Sequence, residues 1–223
     1  EQGIGLNCGL SPEKIREMLI TAPDIQAVII TSPSYDGVVS DVEKIADICH
    51  TYQKPLIVDE AHGAHFGFHP YFPENSIGKG ADIVIHSLHK TLPAFTQTGL
   101  IHLNGSLVDQ AVLERYLGIY QTSSPSYLLM AGVDQCIRML EESGDRLFGE
   151  FVENLEQFRT KTGELQMVGL AGKEELAREK DVADLDLSKL ILYIKNGSMS
   201  GNELYEELLQ HYHLQLEMAA GDY

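Results

Sequence analysis

Two short apolar runs, each ending in a polar group, constrain this chain more than anything else in it. The first, Pro55-Leu56-Ile57-Val58, ends at Asp59. The second, Ala81-Asp82-Ile83-Val84-Ile85-His86, ends at Ser87, and Lys90 follows three residues later. Short, β-branched, mostly uninterrupted apolar runs are the pattern of strands in a buried parallel sheet. A third such run, Ala27-Val28-Ile29-Ile30-Thr31, precedes them. Between it and the first, Asp41 to Tyr52 carries Val42, Ile45, Ala46, Ile48 and Cys49 at helical spacing. Strand, helix, strand with short connections predicts βαβ units and a parallel sheet.

That layout assigns chemistry. Ligands of open α/β sheets sit outside the carboxyl ends of the strands, so Asp59 and Lys90 are expected at one crevice. A lysine just past a buried strand can lose water, have its pKa lowered and become a nucleophile for an aldehyde. A lysine to hold an aldehyde and an acid to charge a pyridine nitrogen are what pyridoxal 5′-phosphate requires. Ser87 and His89 can hydrogen-bond a phosphate, Ala61 is small enough for a ring to lie against, and His62 can reach a phenolic oxygen. Each has a plainer reading: a surface lysine, a turn-capping acid, a small turn residue, a satisfied structural histidine.

Along the rest of the chain, Ser11-Pro12-Glu13 opens a helix to Thr21. Ser32 to Gly37 is a loop at the end of the first strand. Gly99 to Leu103 is a further strand turned by Asn104-Gly105, followed by a helix from Leu107 to Tyr120. Thr122-Ser123-Ser124-Pro125-Ser126 breaks that helix and caps the next, Tyr127 to Glu142. A separate long helix then runs from Gly144 to Thr162. A strand at Leu190–Ile194, a helix at Asn202–His211 and a strand at Leu214–Glu217 close the chain. The expectation is an α/β fold with two parts, residues 1–163 a large domain and residues 164–223 a portion of a smaller α+β domain.

The 223 residues carry 33 acidic and 16 basic side chains, a net charge of −17. That balance argues against a nucleic-acid partner. No apolar run is long enough to span a membrane and no leader pattern is present. Cys8, Cys49 and Cys136 show no paired spacing, which fits buried thiols in a reducing cytoplasm. The first residues, Glu1-Gln2-Gly3-Ile4-Gly5, read like the middle of a longer chain, so a fragment is expected. A metal site at His62, His65 and His69, with His86 and His89 nearby, is disfavoured because Gly63, Gly67 and Pro70 interrupt any helix that would align them. Asp59-Glu60-Ala61-His62 also looks like a helicase box, but no Gly-x-x-x-x-Gly-Lys-Ser/Thr loop precedes it.

Ile57 to Gly67, Gly80 to Val84 and Ser87-Leu88-His89-Lys90-Thr91-Leu92-Pro93-Ala94-Phe95-Thr96-Gln97 resemble the Orn/Lys/Arg decarboxylase family. Thr31 to Val38 and Thr122 to Tyr127 share the resemblance. It implies a fold-type-I, aspartate-aminotransferase-like enzyme: a three-layer αβα sandwich with a mostly parallel sheet, using pyridoxal 5′-phosphate to decarboxylate lysine, arginine or ornithine. It further implies Lys90 covalently holding the cofactor, Asp59 on its ring nitrogen, Ala61 under the ring and His62 at its phenolic oxygen. Ser87 and His89 would bind the phosphate, with Ser123 and Thr122 reaching the phosphate of a neighbouring subunit, so a homodimer or larger homo-oligomer with shared active sites is expected. The family's phosphate loop lies upstream of this chain's first residue, and its carboxy-terminal domain is only partly present. An aminotransferase or α-oxoamine synthase is the nearest alternative, and a catalytically incomplete interaction fragment is another.

Overall fold

The computed structural model describes residue 6, residues 9–176 and residues 181–220, so Cys8 lies outside the described residues. Helix α1 (Pro12–Thr21) begins with proline, where the missing N–H would have had no partner in any case. Strand β1 (Val28–Thr31) and the two-residue β2 (Val38–Val39) lead to α2 (Val42–Thr51), whose cap Asp41 accepts from the Lys44 N–H at 3.1 Å. Next come β3 (Leu56–Asp59), β4 (Ile83–Ser87), the one-turn α3 (Leu88–Thr91) and β5 (Gly99–Leu103). Helices α4 (Gln110–Tyr120) and α5 (Tyr127–Gly163) follow, then β6 (Val168–Leu170), α6 (Lys173–Leu176), β7 (Asp184–Leu185), β8 (Leu192–Ile194) and α7 (Gly201–Tyr212).

The main sheet has the order β1-β3-β4-β5, with β1, β3 and β4 parallel and β5 antiparallel. Helices α1 and α2 set Leu19, Val42, Ile45, Ile48 and Cys49 against Ile30, Leu56, Val58 and Val84. Cys136 of α5 meets Leu88 and Leu92 beyond the end of β4. The other face of the sheet is open in this chain: Ile29, Ile85 and Ile101 are 71%, 36% and 38% exposed. The α/β class with a mostly parallel sheet therefore holds. Of the three expected layers, the described residues build the sheet and the helices on one face.

Several boundaries differ from expectation. The break at Gly144 does not occur, and one 37-residue helix runs through it. Helix α4 starts at Gln110 rather than Leu107 because Asp109 caps it, accepting from the Val112 N–H at 2.9 Å. Leu214 to Glu217 forms no strand. His213 turns the chain into the left-handed region (φ 56°) and ends α7 there, and the residues after it have no ladder partner among the described residues. Strand β7 pairs antiparallel with β2, and Leu185 packs with Val38 and Leu176, so the chain beyond residue 163 returns to the large sheet region.

Candidate active site

Strand pairing brings the two sequence runs together. Asp59 is opposite Ile85, and Ser87 lies two residues further along β4, so Asp59, Ile85 and Ser87 share one sheet face. Ser87 precedes α3 but makes no side-chain cap, so its hydroxyl is not used by the helix. Leu88 and Leu92 are buried against Cys136, which fixes α3 and leaves Lys90 outward. The Lys90 Nζ lies 3.1 Å from His62 Nε2. The expected dehydration of Lys90 is not realised: its side chain is exposed, because the residues packed on α3 lie on its inner side.

His62 is half-buried, its ring edge-on to Tyr35 at 5.0 Å. Burial, then the charges of Lys90 and Lys189, push it below the ordinary histidine value. The imidazole is thus neutral at neutral pH, and its Nε2 accepts from the Nζ–H. Asp59 Oδ1 accepts the Ala61 N–H at 3.0 Å, so the plain turn-capping role is real and holds Ala61 and His62 at the strand end. His89 uses Nδ1 on the Thr98 carbonyl at 3.1 Å, leaving Nε2 free of that contact. Thr122 and Ser123 stand on the exposed elbow between α4 and α5, where Thr122 Oγ1 accepts the Ser124 N–H. Neither lines the space around Lys90.

That space is a cavity of about 410 Å³ walled by Lys90, Thr91, His65, Ser188, Lys189 and Glu217, with Phe148 and Phe151. The sequence reading assigned none of the last seven to it. His65 Nε2 lies 3.2 Å from Asp186 Oδ2, both side chains buried. Burial raises the Asp186 carboxyl, but the close His65 and the Ser188 N–H, which donates to Oδ1 at 3.0 Å, outweigh it and hold it below the ordinary value. His65 Nδ1 and Thr91 Oγ1 are buried with no partner among the described residues. Behind the site, Glu60 is 1% exposed. Its carboxylate takes His86 Nε2 at 2.8 Å and the Ser76 N–H at 3.0 Å, with the Ser76 hydroxyl also donating. His86 contacts His102 at 3.1 Å. The histidines that suggested a metal have separate partners, His65 and His86 on the carboxylates of Asp186 and Glu60, His62 on Lys90, His69 on the Tyr71 N–H and His89 on the Thr98 carbonyl, and no group of three or more potential ligands converges among the described residues.

Solved decarboxylases and aminotransferases share the fold of this chain. Lysine decarboxylase A from Pseudomonas aeruginosa superposes with a TM-score of 0.75 at 20% identity, over 100% of this chain and 38% of that one. The chain is 30% identical over 216 residues to an arginine decarboxylase of Halalkalibacterium halodurans, covering 97% of this chain and 44% of that protein. It is 31% identical over 146 residues to the constitutive lysine decarboxylase of Escherichia coli, covering 62% and 20%. The model of the Orn/Lys/Arg decarboxylase major domain matches residues 2–189. The chain belongs to the Orn/Lys/Arg decarboxylase family, and it spans less than half the length of the curated relatives it matches.

Proposed function

We propose that the protein carrying this chain is a cytoplasmic, pyridoxal 5′-phosphate-dependent carboxy-lyase that releases the α-carboxyl of lysine, arginine or ornithine as carbon dioxide, leaving a diamine or agmatine. The observation that carries this reading is Lys90 Nζ at 3.1 Å from a neutral His62, with Asp59 at the adjoining strand end, in a chain of this family. The donor set fits the cofactor: an amine, an imidazole and a carboxylate at the carboxyl ends of two adjoining strands, near the Thr91 hydroxyl and His65 Nδ1, which have no partner among the described residues. Bound there, pyridoxal phosphate supplies an electron sink for the pair released when the carbon–carbon bond breaks.

This chain's residues do the rest. His62 accepts from the Lys90 amine, the direction that draws off a proton before the nitrogen attacks a carbonyl. Asp59 would hold a proton at the ring nitrogen, Ala61 would lie against the ring, and Ser87 and His89 would bind the phosphate. Helix α4 has no buried residue, and Val112, Tyr116, Ile119 and Tyr120 are 52%, 54%, 60% and 83% exposed. An apolar face of that kind suits a second copy of the chain, which brings Thr122 and Ser123 to its neighbour's phosphate.

The test is reconstitution of the full-length protein with cofactor. It is expected to turn yellow, to fix the label on Lys90 after borohydride, and to release carbon dioxide from a basic amino acid without a keto-acid acceptor. Lys90→Ala loses both colour and turnover. A colourless wild type, or amino transfer that needs a keto acid, overturns the reading.

A further inference from the structure

We propose that His86 is a positioning residue for the site: through Glu60 it ties the carboxyl ends of β3 and β4 and so fixes Asp59 against Ser87 and Lys90. This deepens the decarboxylase reading and rests on it. The β3–β4 ladder ends with Asp59 opposite Ile85, and the Glu60 N–H still reaches the Ile85 carbonyl at 2.9 Å. Beyond that bond the two chains part: residues 60–63 turn, and Ser87 leads into α3. The next link between them is made by side chains, with Glu60 Oε1 and His86 Nε2 2.8 Å apart. Side chains alternate across a strand. Glu60 and His86 therefore stand on one face, and their neighbours in the chain, Asp59 and Ser87, stand on the other.

The tie is anchored at both ends. Oε2 of Glu60 accepts the Ser76 N–H at 3.0 Å and the Ser76 hydroxyl. His86 Nδ1 lies 3.1 Å from Nε2 of His102, which β5 brings to the same face by pairing His102 with Val84 and Leu100 with His86. The donor order that gives each of these nitrogens a complement runs from His102 Nε2–H to His86 Nδ1, and from His86 Nε2–H to the carboxylate. Three neighbouring strands are thus joined behind the face that carries Asp59. Glu60, Ser76 and His86 are buried, and a buried carboxylate network adds little stability over apolar packing of the same volume. What a satisfied network supplies is one fixed geometry. A misplacement of about 1 Å can cost about 100-fold in rate, and Asp59 is joined directly to Glu60 as Ser87 is to His86.

His86→Asn and His86→Gln separate the two sides of the ring, since a glutamine amide reaches the place of Nε2 and an asparagine amide that of Nδ1. Both are compared in the full-length, cofactor-loaded protein at a temperature where circular dichroism shows them folded. His86→Asn is expected to lower kcat about 10- to 100-fold with KM for the basic amino acid within about 3-fold, and to weaken cofactor binding about 10-fold by absorbance titration. His86→Gln keeps the tie to Glu60 and is expected to stay within about 3-fold of wild type in each. In the cofactor-free protein, hydrogen exchange at the Glu60 amide is expected to quicken about 10-fold in His86→Asn and to change little in His86→Gln. If His86→Asn does not fold, Ser76→Ala, which removes only the hydroxyl on Oε2, takes its place with an expected kcat loss of about 3- to 10-fold. The inference is overturned if the tie-breaking variant leaves kcat and exchange unchanged, or if both His86 variants lose alike, which would make the ring packing alone. If wild type releases carbon dioxide from no basic amino acid, the decarboxylase reading fails, and the exchange comparison still decides whether His86 ties the strand ends.

Discussion

Asp59 and Glu60 are neighbours with opposite surroundings. Successive side chains alternate across a strand, so at the end of β3 one carboxylate shares the open face of the sheet with Ile85 and the next is turned inside. The outward residue was legible as a strand-end acid, the position from which it caps the Ala61 N–H. The inward one was not, since its partner His86 lies 26 residues away and nothing local announces the pairing. Removing an acid held in a buried hydrogen-bonded network leaves its partners His86 and Ser76 unsatisfied. Glu60→Ala is therefore expected to cost about 1–3 kcal/mol in denaturant unfolding, and an unchanged midpoint would show the network to be idle. Gly63 reports on the same packing: a Cβ there meets Glu60 Cγ at 2.7 Å and the Phe66 ring at 2.9 Å. Glu60 is pinned by Ser76 and His86 and cannot retreat, so Gly63→Ala is expected to destabilise by about 1–3 kcal/mol by overpacking.

Helices with clear ends were legible nearly to the residue. Proline placed the start of α1, and Ser200 with Glu203 forms a reciprocal capping box at the start of α7. The failure at Gly144 is instructive. A glycine inside a helix costs only about 1 kcal/mol relative to alanine, and α5 makes that up by burying Cys136 and Leu155 on either side of it. Strands β2 and β7 were missed because two residues carry no period and their pairing is long-range. The long helix makes a direct prediction. At Gly149 a Cβ would have nothing within 4 Å, so Gly149→Ala is expected to raise stability by about 0.5–1 kcal/mol. At Gly132 the same atom would lie 2.5 Å from the Phe95 ring, and Gly132→Ala is expected to lose stability instead. Thermal melts of the two variants separate helix propensity from packing.

At the scale of the molecule, apolar surface and charge point to separate tests. The unburied face of α4 makes Ile119→Glu, in the full-length protein, an expected dimer-breaker by sedimentation; a variant that still sediments as a dimer would place the interface elsewhere. The acid response is subtler, because a net charge of −17 repels itself at neutral pH and relaxes as carboxylates protonate. Against that gain stand groups whose protonation opposes folding. Burial, then the charge of His86, holds His102 below the ordinary histidine value of 6.5, and His62 is shifted the same way. Each binds its proton more readily in the unfolded chain, so the stability they allow is complete above 6.5 and declines as pH falls through that value toward the folded one. Asp186, held below 3.8, adds stability that persists until pH falls through its own lower range. Urea midpoints measured across this range for wild type and His102→Asn cancel the global charge contribution, since both carry it equally. The wild-type midpoint is expected to drop relative to the variant as pH passes below 6.5, with the difference levelling off before the Asp186 range. Parallel curves through that window would mean that His102 titrates alike in the folded and unfolded chain, and that its place beside His86 carries no electrostatic cost.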